Sequence, residues 1–171
     1  MLKGKTTLMT RMVALLVLCA PLTAAVQATH PSGALYEWSG EFVSADTKAA
    51  TLTVKSRVAY PQALSELKQF TPGEQVWVVW SGSRDYSDAM RQVRRAQAGT
   101  AIAEDLVLPA EFVSTEAPSP YVTIRVKVRE GSLSAIKDVK PGEWVTVTSR
   151  HRPSTQAEAV VSVRPYSTST T

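Results

Sequence analysis

The side chains best suited to hold a ligand are basic residues at alternate positions of two predicted strands. They are Lys55, Arg57, Arg125, Lys127 and Arg129. Because alternate residues of a strand point to the same face of a sheet, each set projects from one side. Such a face could hold an anionic glycan, a lipid headgroup or a nucleic acid, with Trp144 as a flanking surface for ring stacking. The alternative is that these are ordinary solvent-facing residues that protect sheet edges.

Carboxylates are the second group that could do chemistry. Glu41 and Glu111 each open the same tetrapeptide, Glu-Phe-Val-Ser, and Glu104 and Asp105 form the one adjacent acidic pair of the chain. Two carboxylates facing each other across a cleft would support glycoside hydrolysis. However, the sequence contains no Gly-rich phosphate loop, no Gly-x-Ser-x-Gly motif and no His-Glu-x-x-His motif. The sequence therefore favours a non-enzymatic protein, with an envelope carbohydrate-active enzyme as the alternative.

Metal-binding residues are few and far apart. His30 and His151 are the two histidines, Cys19 is the single cysteine, and Met90 is the one methionine after the first 28 residues. Solvent-facing loop positions are the simplest interpretation of both histidines. The sequence therefore predicts neither a metal site nor a bound cofactor.

The N-terminus has the pattern of a cleaved export signal. A basic head precedes the short apolar run 12–20, and small residues allow cleavage after Ala25 or Ala28. The run is shorter than the roughly 20 residues that a spanning helix needs. We therefore expect residues 1–28 to be a signal peptide, with no transmembrane segment after its removal. The absence of cysteine from the mature chain favours the bacterial periplasm or the extracellular space over eukaryotic secretion.

Removal of this segment also changes the charge argument. The chain carries 19 basic and 15 acidic residues, and three of the basic ones lie within residues 1–28. The mature protein is therefore close to neutral, so bulk charge gives no general attraction to nucleic acid.

Most of the mature chain is an internal repeat. Residues 41–58 align with 111–128 at six identities, and residues 64–79 align with 133–148 at eight. Fourteen identities in thirty-four positions far exceed the roughly one in fifteen expected from average residue usage. The fold must therefore be built from a duplicated unit.

Each copy predicts the same short series of elements. Apolar residues alternate along two strands, as in residues 122–128, and a helical turn follows with apolar residues three apart, such as Leu133 and Ile136. A Pro-Gly-Glu turn and a further strand complete the unit. The first copy also predicts an inserted helix near 88–98, with Ser87 as N-cap and Gly99 beyond its end.

These elements predict an all-β fold of strand–strand–short helix–strand units. The units would form tandem OB-like barrels or interlock into one pseudo-twofold small barrel, as the cradle-loop barrels do. We expect the first repeat, with its inserted helix, at 34–99 and the second at 100–166. A final strand near 157–164 would precede a disordered tail at 167–171.

Three features of the sequence form a recognisable set: Gly-Glu-Phe-Val-Ser-Ala-Asp at 40–46, Thr-Leu-Thr-Val at 51–54 and the two Pro-Gly-Glu turns. In these features the sequence resembles small OB-like domains of bacterial exported proteins, many of them uncharacterised. The resemblance extends distantly to periplasmic copper chaperones, which bind Cu(I) with Met, His and Trp. Because Met90 is the one methionine of the mature chain, this chain lacks that ligand set, and the metal function does not carry over.

The sequence therefore predicts an exported, non-enzymatic β-barrel binding or accessory protein of the bacterial envelope. Its partner would be an anionic envelope polymer or another envelope protein. The ligand-binding alternative is polyanion recognition through the basic strand face.

Overall fold

The computed structural model describes residues 34–80, 89–96, 107–116, 118–151, 153 and 155–167. The strands are β1 (Leu35–Asp46), β2 (Thr51–Val58), β3 (Gln75–Trp80), β4 (Ala89–Arg95), β5 (Val107–Thr115), β6 (Tyr121–Lys127), β7 (Trp144–Arg150) and β8 (Val160–Pro165). The helices are α1 (Pro61–Leu67), a 3-10 turn (Ser132–Ile136) and the single turn α2 (Gln156–Ala159). The described part of the chain is thus mostly strand, as an all-β fold requires.

All these strands belong to one sheet that curls back on itself. Their order is β4-β3-β5-β6-β2-β1-β7-β8, and each neighbouring pair is antiparallel. The start of β4 also pairs in parallel with the end of β2, where Val58 lies opposite Met90, so five strands form a ring. At the other end, a parallel bridge joins Val128 to Val160 and brings β8 back to the end of β6.

The inward faces of the strands enclose one hydrophobic core. On β2, the inward residues Leu52, Val54 and Val58 are all buried, and β6 buries Val122 and Ile124 in the same way. The alternation predicted for these strands is therefore confirmed. It arises because successive residues of a strand point to opposite sides of the sheet.

The predicted helical turns also pack as expected. Leu67 and Phe70 from α1 and the loop after it, and Leu133 and Ile136 from the 3-10 turn, are members of the core. Both short helices thus bury an apolar stripe against the sheet, which is what stabilises helices too short to persist alone.

The aligned residues of the two segments occupy matching places. The element order β1, β2, α1, β3, β4 recurs as β5, β6, the 3-10 turn, β7, β8. The repeated tetrapeptide Glu-Phe-Val-Ser is the site of a β-bulge in both cases, between Phe42 and Ser44 and between Phe112 and Ser114. A bulge bends its strand and increases its twist. Both bulges follow directly on the residue at which the strand changes partner, Glu41 between β7 and β2 and Glu111 between β3 and β6.

The repeated tetrapeptide of one segment contacts the repeated turn of the other. The Gly73 amide donates to the Phe112 carbonyl at 2.9 Å, and the Phe112 amide donates to the Glu74 carbonyl at 2.9 Å. Phe42 makes the same two bonds with the turn at 141–143, at 2.9 and 2.7 Å. The two segments are therefore joined through their most similar residues.

The helix predicted near 88–98 is wrong, because the structure has strand β4 at Ala89–Arg95. Met90 and Val93, spaced three apart as on a helix, are both buried in the core. They share a face because Gln92 lies opposite Val79 while Met90 lies opposite Trp80, which leaves Arg91 as an extra, bulged residue. A bulge thus allows two residues spaced three apart in sequence to point to the same face of a strand. Ser87 and Gly99 lie outside the described residues.

The two segments therefore do not differ by an inserted helix. β4 corresponds to β8, which has a similar irregularity where it passes Thr148 and Ser149. The final strand predicted at 157–164 begins later, at Val160, because residues 156–159 form α2. The alanines of that turn are strong helix formers.

The predicted signal peptide at 1–28 lies outside the described residues, as do residues 168–171 of the predicted tail. Among the residues that the structure describes, no helix combines the length and apolar character needed to cross a bilayer.

Candidate ligand-binding face

The predicted basic residues of β2 and β6 lie side by side on the outward surface of the sheet. Arg57 is paired with Tyr121, Lys55 with Thr123, Thr53 with Arg125, and Thr51 with Lys127. Directly opposed residues of paired strands project to the same side. Lys55, Arg57, Arg125 and Lys127 are therefore brought together, and we call this outward side of the β2–β6 pair the outer face.

Packing between the long side chains shapes the outer face. Thr53 and Thr123, which lie between the cations, are buried at 6% and 8% exposure. Arg125 and Lys55 stand directly opposite them across the strand pair. The outer face is therefore a ridged polar surface in which the charged groups are the accessible features.

Lys55 is held by two carboxylates. Its Nζ lies 3.0 Å from Glu41 Oε2 and 3.6 Å from Glu116 Oε1, and it also lies 5.4 Å from the centre of the Tyr121 ring. The hydrogen bond that Lys55 donates to Glu41, together with the charges of both carboxylates, raises the pKa of the Lys55 ammonium, against a smaller effect of desolvation. Lys55 is thus a positioned cation whose charge is already compensated.

Arg125 repeats this arrangement in the second segment. Its Nη1 donates to Glu111 Oε1 at 2.6 Å, and 41% of the Arg125 side chain remains exposed. The contact pairs the residues that align with Lys55 and Glu41. A guanidinium has five N–H donors, so one contact with Glu111 leaves donors that can reach a ligand.

Lys127 lies at the end of the outer face near the turn between β1 and β2. Its Nζ donates to the Ala49 carbonyl at 2.9 Å, and this turn is closed by Asp46 Oδ1, which accepts the amides of Lys48 and Ala49. None of the described residues places a carboxylate within ion-pair distance of Lys127. Its positive charge is therefore available to a ligand.

A surface depression of about 550 Å³ lies over this end of the outer face. Its lining includes Ser44, Asp46, Thr53, Arg125 and Lys127. The depression is polar and open, so it suits part of an extended ligand rather than an enclosed small molecule.

Trp144 extends the outer face across two more strands. It lies opposite Glu41 in the β1–β7 pair, and Glu41 lies opposite Lys55 in the β1–β2 pair. One row of side chains therefore runs Trp144, Glu41, Lys55, Thr123. The Trp144 ring is half-buried, with its centre 6.3 Å from the ring of Tyr166, which is 48% exposed.

A second row crosses the outer face in the opposite direction. Gln75 lies opposite Glu111, Glu111 opposite Arg125, and Arg125 opposite Thr53. Gln75 aligns with Trp144, so this row has an amide where the first row has an indole. Gln75 Oε1 accepts a hydrogen bond from Gln156 Nε2 at 2.5 Å.

Arg129 is the predicted site residue that stands apart. It follows the end of β6, where its side chain is exposed and its amide donates to the Val160 carbonyl at 3.1 Å. Of the four tryptophans, Trp38 and Trp80 are core residues that stack on each other with ring centres 4.4 Å apart. Trp77 is half-buried under the Arg94 guanidinium, 5.3 Å away.

Tyr166 and the carboxylates of the outer face were not part of the predicted binding set. The bulges within Glu-Phe-Val-Ser place Glu41 beside Lys55 and Glu111 beside Arg125, and alternation alone does not reveal this. The signal that could have located the two ion pairs is the repeat itself, because Glu41 and Lys55 align with Glu111 and Arg125.

Glu41 and Glu111 are not placed as a glycosidase pair. They lie on β1 and β5, which flank the β2–β6 pair, so three strand spacings separate them, roughly 14 Å. The carboxylates of a glycosidase stand roughly 5–9.5 Å apart, and each of these two contacts a cation instead. Glu104 and Asp105 lie outside the described residues.

The histidine positions do not form a metal centre in the described part of the chain. His151 follows β7 and packs edge-on against the Tyr36 ring at 5.3 Å, while His30 lies outside the described residues. No group of three or more His, Cys, Asp or Glu side chains converges within the described ranges.

Comparison of the chain with protein-family models, with curated proteins and with solved structures finds no match of any kind.

Proposed function

We propose that this protein is a non-enzymatic binding module of the bacterial cell envelope that holds an extended glycan across its outer face. The observation that carries the proposal is the convergence of Lys55, Arg57, Arg125 and Lys127, from two distant segments, on one side of the β2–β6 pair. Trp144 continues this surface over β1 and β7. Strand faces of OB-like barrels commonly bind extended polymers in this way.

The ion pairs of the outer face favour a glycan over a densely charged polyanion. Lys55 is compensated by Glu41 and Glu116, and Arg125 is in contact with Glu111. Carboxylates at these positions repel closely spaced phosphates, as in a nucleic acid. Paired charges also offer donors and acceptors side by side, which matches the hydroxyl groups of sugars.

The architecture in this proposal is a duplicated OB-like unit whose two copies interlock. The matching bulges and the shared turn contacts support descent of both segments from one strand–strand–helix–strand unit. The N-terminal pattern at 1–28 supports export to the periplasm or beyond. An envelope location would bring the outer face into contact with cell-surface glycans.

A binding titration of the chain from residue 29 onward tests the proposal. We expect an anionic envelope polysaccharide to bind, with its affinity measured by calorimetry at several salt concentrations. The affinity should fall only modestly as the salt concentration rises, because few phosphate-like contacts are made. Lys127→Glu should weaken binding by about tenfold, the effect of one charge-assisted contact.

Lys137→Glu is the matched control, since Lys137 is exposed and lies beyond the 3-10 turn rather than on the outer face. Equal binding by the Lys127→Glu and Lys137→Glu proteins, or no binding of any polysaccharide, would refute the proposal.

A further inference from the structure

β6 changes its partner near its end, and the change leaves a gap beside Lys127. The pairing of β6 with β5 ends at Arg125, opposite Glu111, and β8 reaches β6 only at Val128. Among the described strands, none pairs with Lys127 on the side that faces β5 and β8. The edge of β6 is therefore open at this residue.

The matching position of the first segment is closed. Arg57 aligns with Lys127, and Arg57 pairs with Ala89 at the start of β4. In the second segment the turn α2 precedes β8, and its first residue, Gln156, forms part of the wall of the gap. The gap is therefore a feature of the second segment and has a structural cause, the later arrival of β8.

The gap is a polar crevice of about 60 Å³. Its wall includes Gln75, Glu111, Arg125, Lys127 and Gln156. A water molecule occupies about 30 Å³ in the liquid, so the crevice has room for about two oxygen-sized atoms. That is the size of a carboxylate group.

A backbone donor points into the crevice. The Val128 amide donates to the Ala50 carbonyl on the β2 side. Because the amides of successive strand residues point to opposite sides, the Lys127 amide points away from β2 and into the crevice. Arg125 adds guanidinium donors, since its one contact with Glu111 leaves further N–H groups.

The charge of the crevice matches a single carboxylate. Arg125 and Lys127 are cations, and Glu111 is the one carboxylate among the described residues of the wall, so one positive charge is in excess. A carboxylate balances this excess and accepts charge-assisted hydrogen bonds. A phosphate monoester carries a charge of about −1.5 to −2 at neutral pH, which exceeds this balance.

The crevice adjoins the surface depression of the outer face. The two share Thr51, Glu111, Arg125 and Lys127 in their walls. A sugar that lies in the depression therefore has the crevice within reach of a carboxylate attached to its ring.

We propose, building on the proposed function, that the outer face selects glycans that carry carboxylate groups, and that the crevice beside Lys127 is the site that recognises them. One carboxylate enters the crevice, where it accepts hydrogen bonds from the Arg125 guanidinium and the Lys127 amide. The sugar ring that bears this carboxylate lies in the depression over Thr51.

Three forms of one hexasaccharide test this assignment by titration calorimetry against the chain from residue 29 onward. The first is a hexamer of galacturonic acid, the second is its methyl ester, and the third is the corresponding galactose hexamer with a sulfate on each O6. We expect the acid to bind about tenfold more tightly than the ester, the effect of one charge-assisted contact. The sulfated form should bind more weakly than the acid, because a sulfate group has more oxygens than the crevice has room for.

Variants locate the site. Gln156→Glu puts a carboxylate in the wall of the crevice with little change of size, so it should weaken binding of the acid by about tenfold and leave binding of the ester unchanged. Arg125→Lys keeps a positive charge beside Glu111 but removes the guanidinium donors, so it should weaken binding of the acid alone. Gln69→Glu is the matched control, since Gln69 is exposed and lies beyond the end of α1 rather than in the crevice.

Equal affinity for the acid and the ester, with both weakened by Lys127→Glu, would overturn the assignment of the crevice but leave glycan binding by the outer face intact. Tighter binding of the sulfated form than of the acid, or an undiminished affinity of the Gln156→Glu protein for the acid, would do the same. Equal affinity that Lys127→Glu leaves unchanged, or failure of all three forms to bind, would overturn both proposals.

Discussion

Val54 lies directly opposite Ile124 at the centre of the β2–β6 pair, and the two residues align with each other in the repeated segments. Because the strands are antiparallel, half a turn about this point exchanges their places. The same operation exchanges the Lys55–Glu41 pair with the Arg125–Glu111 pair. The symmetry of the outer face is thus a consequence of pairing one strand with its own counterpart.

This pairing predicts that neither segment folds without the other. The neighbours of β3 are β4 and β5, and the neighbours of β1 are β2 and β7, so each segment contributes strands that only the other completes. We expect residues 29–98 and 99–171, produced separately, to lack the near-ultraviolet circular dichroism of a packed core. Mixing them should restore the signal, because the core is a single cluster drawn from both.

The intact chain under the same conditions is the reference for this experiment. A cooperative unfolding transition in either segment alone would contradict the interlocked arrangement.

The repeated Pro-Gly-Glu turns predict a specific sensitivity to side chains at their glycines. Gly142 has a φ of +92°, and a Cβ built there meets no atom within 4 Å. Gly142→Ala should therefore lower the free energy of unfolding by about 1–2 kcal/mol through backbone strain alone, as measured by urea denaturation. Gly142→Asn should cost less, because Asn tolerates the left-handed region better. An unchanged midpoint for the alanine variant would show that the turn adopts another conformation.

Tyr36 predicts a loss of stability in alkaline solution. Burial of its hydroxyl raises the pKa of Tyr36 well above its ordinary value, an effect that the Ser149 hydroxyl offsets in part. The folded protein therefore keeps this proton where the unfolded chain releases it, so the stabilising contribution is complete below about pH 10 and declines above it. The decline attributable to Tyr36 approaches about 1.4 kcal/mol per pH unit.

Tyr36→Phe should therefore flatten the plot of unfolding free energy against pH above pH 10. Part of the slope should remain, because the raised pKa of Lys55 acts in the same direction at still higher pH. Tyr60→Phe, at a tyrosine that is 48% exposed, is the matched control and should leave the plot unchanged. Identical curves for the two variants would rule out the Tyr36 contribution.

Features that depend on nearby residues could be predicted from the sequence. The alternation along β2 and β6 and the apolar spacing of Leu133 and Ile136 were sufficient to place strands and helical turns. The positive φ of Gly73 and Gly142 follows from the Pro-Gly pair. The sequence predicts one basic stripe on each of the two strands. It does not predict that the pairing of these strands brings Lys55 and Arg125 together on one face.

Features that depend on strand register could not be predicted. The extra residue Arg91 gives β4 the apolar spacing of a helix, and a bulge leaves no signal of its own in the hydrophobic pattern. Trp144 meets Glu41 because β1 pairs with β7, strands about a hundred residues apart. Such long-range pairing is decided by the fit of the whole core rather than by local propensity.

The position of β3 between β4 and β5 affects the nascent chain during synthesis. As the chain emerges, β3 presents Val76, Val78 and Trp80 with one edge unpaired until Val107–Thr115 has been made. Exposed apolar edges of this kind invite association with other chains. We therefore expect the interval between synthesis of β3 and of β5 to be the period of greatest risk of aggregation.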